Sequence, residues 1–202
     1  VDVITCQQPF IQFLSSALLR VLILNRTKMN VIVFGLPGSG KTYFADRLAS
    51  KINGLHISSD TVRNHMQQQL KYHDQAKMEV YHKMLKLMEK AISNKQNIVL
   101  DATYYKENIR NLFKQKATLL NSKIYFIEIR ANKSVIKERL DKKRNESEAD
   151  FNVYLKIKST FEPLRERHLI LHSDKEGLNE MLNKALVSIN FSDGRATDQK
   201  LN

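Results

Sequence analysis

Asn30-Val31-Ile32-Val33-Phe34-Gly35-Leu36-Pro37-Gly38-Ser39-Gly40-Lys41-Thr42-Tyr43-Phe44-Ala45-Asp46-Arg47-Leu48 is the stretch that decides how this chain folds. Its middle, Gly35 to Thr42, has the pattern G-x-x-x-x-G-K-(S/T) of a phosphate-binding loop. Each residue type in it answers a demand of a triphosphate. Gly35, Gly38 and Gly40, with Pro37 and Ser39 between them, allow a backbone whose N–H groups turn toward an anion. Lys41 can reach the β- and γ-phosphates, and the Thr42 hydroxyl can ligate Mg²⁺. A helix beginning near Gly40 adds its positive dipole end. The flanks suit the loop: Asn30–Phe34 is a short β-branched run, and Phe44, Leu48 and Ile52 form one stripe at helical spacing.

Working outward, apolar runs and helical stripes alternate. Leu55–Ser58, Asn97–Asp101, Lys123–Ile129 and Leu169–Leu171 read as further strands. Helical spacing covers Gln75–Ser93, Glu107–Leu120, Lys133–Leu140 and Phe151–Phe161, the last of these halting at Pro163. A closing helix runs through Leu178, Met181, Leu182, Ala185, Leu186 and Ile189. The alternation predicts an α/β fold of the P-loop NTPase type, a five-stranded parallel sheet with helices on both faces, and a short lid is expected at the basic segment between Arg139 and Arg144. Ligands are then expected at the carboxyl ends of the strands.

The chain of 202 residues is long enough for one domain with a real core. Residues 29–191 are expected to form it. Residues 1–28 read as an extension outside the core, either a start assigned too early or an amphipathic helix, and 192–202 as a fraying polar tail. Phe10–Leu24 is too short and too interrupted for a membrane span, and the features of a signal peptide are not clear. A single cysteine, Cys6, excludes a disulfide framework and a cysteine-based zinc site, and suits a reducing compartment, so a cytoplasmic location is expected. The six histidines show no ligand spacing for a transition metal. The net charge of +12 is concentrated between Lys106 and Arg144, where twelve Lys/Arg face four Asp/Glu. Such a field attracts a polyanion, either nucleic acid or a phosphorylated metabolite, or else it is a solvated lysine-rich surface.

Three other places carry candidate chemistry. Asp101 closes an apolar strand, the position of a carboxylate that organises Mg²⁺; a buried capping aspartate is the structural alternative. Asp60, in Ser58-Ser59-Asp60-Thr61-Val62-Arg63, can accept a proton from an acceptor hydroxyl, with Arg63 gripping an anionic substrate. Ser59 or Asp60 also fits a helix N-cap. Arg139 and Arg144 bracket a basic segment of the sort that closes over phosphates.

Together these segments resemble small bacterial P-loop kinases grouped with polynucleotide 5′-hydroxyl kinase, with zeta-toxin kinases a more distant likeness. The resemblance is carried by Gly35–Thr42, Ser59-Asp60-x-x-Arg63, Val99-Leu100-Asp101-Ala102-Thr103, Glu138-Arg139-Leu140 with Arg144, and Phe161-Glu162-Pro163-Leu164. It implies ATP and Mg²⁺, Asp60 as general base, Arg63 on the substrate phosphate, Asp101 as metal or substrate organiser, and Arg144 or Arg139 as a lid arginine. The expected activity is transfer of the γ-phosphate to an acceptor hydroxyl. A nucleic-acid 5′-hydroxyl leads because of the Lys106–Arg144 charge; a sugar, nucleoside or antibiotic hydroxyl is the alternative. The rival from another class is an ATP-binding switch or ATPase, against which stands Ala102 where a water-activating carboxylate would follow Asp101.

Overall fold

The computed structural model describes residues 28–67, 74–142 and 151–192. The extension up to residue 27, the tail after Ser192, and Arg144 with the rest of 143–150 lie outside the described residues.

Five strands, β1 (Asn30–Phe34), β2 (Gly54–Ser58), β3 (Asn97–Asp101), β4 (Tyr125–Arg130) and β5 (Leu169–His172), form one parallel sheet in the order β2-β3-β1-β4-β5. The phosphate-loop strand is central, and every residue of β1 is buried, which is why it reads as an unbroken apolar run. Alternate residues feed two cores. Val31 and Val33 join α1 (Lys41–Lys51) and α7 (Leu178–Ser192) through Phe44, Leu48, Met181 and Ala185. Ile32 and Phe34 face the other way, toward α2 (Ser59–Gln67), α3 (Asp74–Ser93) and α4 (Glu107–Leu119) through Val62, Met84, Met88 and Phe113. Two further helices are α5 (Lys133–Asp141) and α6 (Phe151–Ser159).

The fold class is the expected one. The β3 bounds agree with the sequence reading, while the last strand extends to His172 and α6 stops at Ser159. Register sets the site. Val33 and Ser58 both pair with Asp101, so the carboxyl ends of β1, β2 and β3 lie level. No helix among the described residues is long and apolar enough to cross a membrane.

Candidate functional site

The loop after β1 has the backbone its glycines promised. Gly35, Gly38 and Gly40 have φ of 142°, 77° and 93°. A Cβ at Gly35 would collide with the Ile129 carbonyl, and one at Gly38 would lie 3.0 Å from Ile136 and Leu140 side-chain atoms. Gly40 caps α1 in left-handed geometry without a side-chain bond, leaving the helix's first N–H groups to a ligand. Lys41 is largely buried, and its Nζ donates to the Leu36 carbonyl at 2.9 Å. Thr42 is exposed at the first turn. The buried Ser39 hydroxyl has no hydrogen-bond partner among the described residues.

Beside the loop, Asp60 lies in the first turn of α2 and Arg63 at the start of the second. The helix-start signal in the sequence is real, but the cap is Ser58, one residue earlier than expected. Its hydroxyl accepts the Asp60 N–H at 3.2 Å, which corrects the expectation that Ser59 or Asp60 caps. The Asp60 carboxylate is thereby free of capping, and it accepts a 2.8 Å hydrogen bond from Arg63 Nη1. Burial pushes the Asp60 carboxyl above the ordinary aspartate range; Arg63 opposes this, the Asp101 charge adds to it, and Lys41 opposes it. Asp60 thus lies within electrostatic range of both Lys41 and Asp101.

Asp101 is almost fully buried. Its Oδ2 lies 3.8 Å from His56 Nε2, and its Oδ1 has no hydrogen-bond partner among the described residues. A buried carboxylate oxygen left unpaired is costly without a cation or water, so the donor set of Asp101 with the Thr42 hydroxyl fits a hard divalent ion. The next residue, Ala102, is buried with its N–H on the Val33 carbonyl.

Two residues past Asp101, Thr103 shares a 3.2 Å hydrogen bond with the Tyr81 hydroxyl, which also accepts the Tyr104 N–H at 3.3 Å. Burial raises the Tyr81 phenol, keeping it neutral. Tyr104 takes a left-handed φ of 44°, and its carbonyl accepts from Arg110 Nη1 at 2.8 Å. Arg110 is fully buried, and burial lowers its basicity. Sequence reading missed Tyr81 and Arg110 because both sit inside apolar helical stripes.

Arg139 lies on the outer side of the phosphate loop, bonded to Ser173 and to the Gly38 carbonyl. Arg144 is outside the described residues. Five of the twelve basic residues of the stretch pair with carboxylates among the described residues: Lys106 with Glu162, Lys114 with Glu166, Lys116 with Glu89, Arg130 with Glu128, and Lys142 with Glu138. Most of these partners lie outside the stretch itself, so counting charge along the sequence could not find them.

A family model described as AAA domain matches residues 31–164, more than half of the chain, and the chain belongs to that family. Solved structures with the same fold include a sugar kinase from a Janibacter species, 17% identical with a TM-score of 0.64 over 85% of this chain and 99% of that one. A gluconokinase from Sinorhizobium meliloti is 17% identical, with a TM-score of 0.63 over 83% of this chain and 95% of that one. The Mycobacterium tuberculosis APS kinase, solved with AMPPNP and APS, is 12% identical, with a TM-score of 0.65 over 81% of this chain and 99% of that one. No curated protein matches in sequence. The P-loop kinase fold is therefore shared with small-molecule kinases; no polynucleotide kinase is among these three.

Proposed function

We propose that this member of the AAA domain family is an ATP-dependent kinase acting on a small metabolite hydroxyl. The observation that supports the reading is the level ends of β1, β2 and β3, with Asp101 closing β3 and Asp60, just past β2, hydrogen-bonded to Arg63 and influenced by the charges of Lys41 and Asp101. The loop amides with Lys41 hold the triphosphate, Pro37 and Ser39 shape the loop, and Thr42 with Asp101 would hold Mg²⁺. The ion would supply charge neutralisation on the phosphate oxygens. Asp60 takes the proton of the acceptor hydroxyl as the oxygen–phosphorus bond forms and the bond to the ADP leaving oxygen breaks. Arg63 orients both the Asp60 carboxylate and the acceptor. Arg144 remains the lid candidate that would cover the phosphates.

A small acceptor is preferred over a 5′-hydroxyl nucleic acid in part because Glu89, Glu162 and Glu166, from outside the basic stretch, pair with three of its lysines and offset part of its charge. Sugar, gluconate and APS kinases of the same fold support this preference. The polynucleotide reading keeps one specific support. Lys133 and Lys137 converge on the Phe151 ring at 5.9 and 5.8 Å, a basic and aromatic surface suited to a nucleic acid. A cytoplasmic location would supply ATP to either reaction.

Labelled ATP, offered with Mg²⁺ and a panel of sugars, sugar acids, nucleosides and 5′-hydroxyl oligonucleotides, tests the proposal. Label on a small hydroxyl compound is the expected result. Label on oligonucleotides alone would move the assignment to the polynucleotide reading, and ATP hydrolysis with no labelled acceptor would favour a switch or ATPase.

A further inference from the structure

The outer side of the phosphate loop is held by residues from two distant segments. Ser173, which follows β5 directly, donates its hydroxyl hydrogen to the Ser39 carbonyl at 2.6 Å and accepts from Arg139 Nη1 at 2.8 Å. The directions are fixed by chemistry: a guanidinium only donates, so the single hydroxyl hydrogen goes to the carbonyl. Arg139 also reaches the Gly38 carbonyl through Nη1 at 3.4 Å and the Ser173 carbonyl through Nη2 at 3.0 Å. The Ser173 N–H is anchored on the Arg130 carbonyl at 3.0 Å, tying the arrangement to the end of β4. Gly40 admits the contact, since a Cβ there would lie 3.3 Å from Ser173 Oγ and 3.5 Å from Arg139 Nη1.

Peptide planarity turns this outside contact into an inside effect. Across a trans peptide the carbonyl of one residue and the N–H of the next point in opposite directions, and no described peptide bond is cis. A Ser39 carbonyl held outward by Ser173 keeps the Gly40 N–H pointing into the concave side of the loop. A Gly38 carbonyl held by Arg139 likewise directs the Ser39 N–H away from Arg139, onto the Leu36 carbonyl at 3.2 Å. The same Leu36 oxygen receives Lys41 Nζ.

We infer that Ser173 and Arg139 form a clasp that holds the phosphate loop in its anion-binding shape, acting as positioning residues through the loop's backbone. Sequence patterning offered no reason to notice Ser173, and it offered Arg139 only as a lid arginine. The inference rests on the nucleotide-binding role proposed for the loop and is independent of the acceptor.

Calorimetric titration of the full chain with inorganic tripolyphosphate and with ATP, both with Mg²⁺, tests the clasp; tripolyphosphate isolates the phosphate contacts from the base. Ser173→Ala is expected to weaken both ligands by about five- to tenfold, the scale of one lost hydrogen bond. Ser173→Thr, which keeps the hydroxyl, should stay within about twofold of wild type. Arg139→Lys, which keeps the charge but not the fork, should behave like Ser173→Ala. The double variant should lose little more than either single one, because the two act as a unit. Melting without ligand checks that each variant folds, and Arg139→Lys carries the test if Ser173→Ala does not. Wild-type affinity in Ser173→Ala or Arg139→Lys, or no recovery in Ser173→Thr, would overturn the clasp alone. A wild-type chain that binds neither ligand would overturn the nucleotide-binding reading and the clasp with it.

Discussion

The Arg63 guanidinium donates a 2.8 Å hydrogen bond to the Asp60 carboxylate three residues before it, at a helix start capped by Ser58. This pairing gives one carboxylate two opposing influences. Burial and the Asp101 charge favour its neutral form, while Arg63 and Lys41 favour the ionised form that can accept a proton. The net direction is upward, so the base is weakly held in its charged state beside a cation that can also touch substrate.

Asp60→Asn should bind ATP nearly as wild type while losing phosphoryl transfer by about two orders of magnitude or more, as loss of a general base does. Nucleotide titration alongside single-turnover transfer separates the two effects. Transfer within a few-fold of wild type would remove Asp60 from the base role.

The pH dependence follows in sign from the same residues. Transfer needs Asp60 ionised, so the rate should fall as pH drops through a value above the ordinary aspartate range. Arg63→Gln removes an influence that lowers this value, so the acidic limb of the pH–rate profile should move to higher pH. A limb that moves down or stays fixed would show that another group titrates.

Stability carries the reverse sign for the same carboxyl. A folded-state pKa above the unfolded one means the native chain binds more protons in that window, so stability falls as pH rises through it. Asp60→Asn should therefore melt at or slightly above the wild-type temperature at neutral pH. A large fall in melting temperature would mean the Arg63 pair is structural first.

Glu128 behaves oppositely. Burial alone would raise it, but bonds from Arg130 at 2.8 Å and His168 at 3.0 Å hold its carboxyl below the usual range. Its stabilising contribution is full above the ordinary glutamate value and is lost as pH falls through the lower, folded-state value. Glu128→Gln should cost about 1–3 kcal/mol at neutral pH and flatten the acid side of a melting-temperature profile. An unchanged melting temperature would count against the cluster as a structural element.

Gly35→Ala tests the loop backbone. The added methyl meets the Ile129 carbonyl at a φ of 142°, so the variant should lose roughly 1–3 kcal/mol from backbone strain alone and bind ATP poorly. Soluble protein with wild-type melting and ATP affinity would contradict the described loop.

Some of this was written along the chain and some was not. The loop, both aspartates and the strand bounds around them were legible because each depends on neighbours within a few residues: a β-branched run, glycines at fixed steps, a carboxylate closing a strand. The cap at Ser58 was misplaced by one residue, since several adjacent polar side chains fit the same signal. The charge of the Lys106–Arg144 stretch was left open between a polyanion-attracting field and a solvated surface, because Glu89, Glu162 and Glu166 reach it only after folding.

The sequence by itself determined the α/β alternation, the phosphate loop and the candidate base, since local sterics and periodicity fix these. Tertiary structure alone decided which charges are neutralised, that Tyr81 and Thr103 meet beside Asp101, and that Ser173 and Arg139 sit behind the loop. The Tyr81–Thr103 and Ser173–Ser39 contacts join residues 22 and 134 positions apart. A hydrogen bond or ion pair acts over a few ångströms of space, whatever length of chain separates its partners.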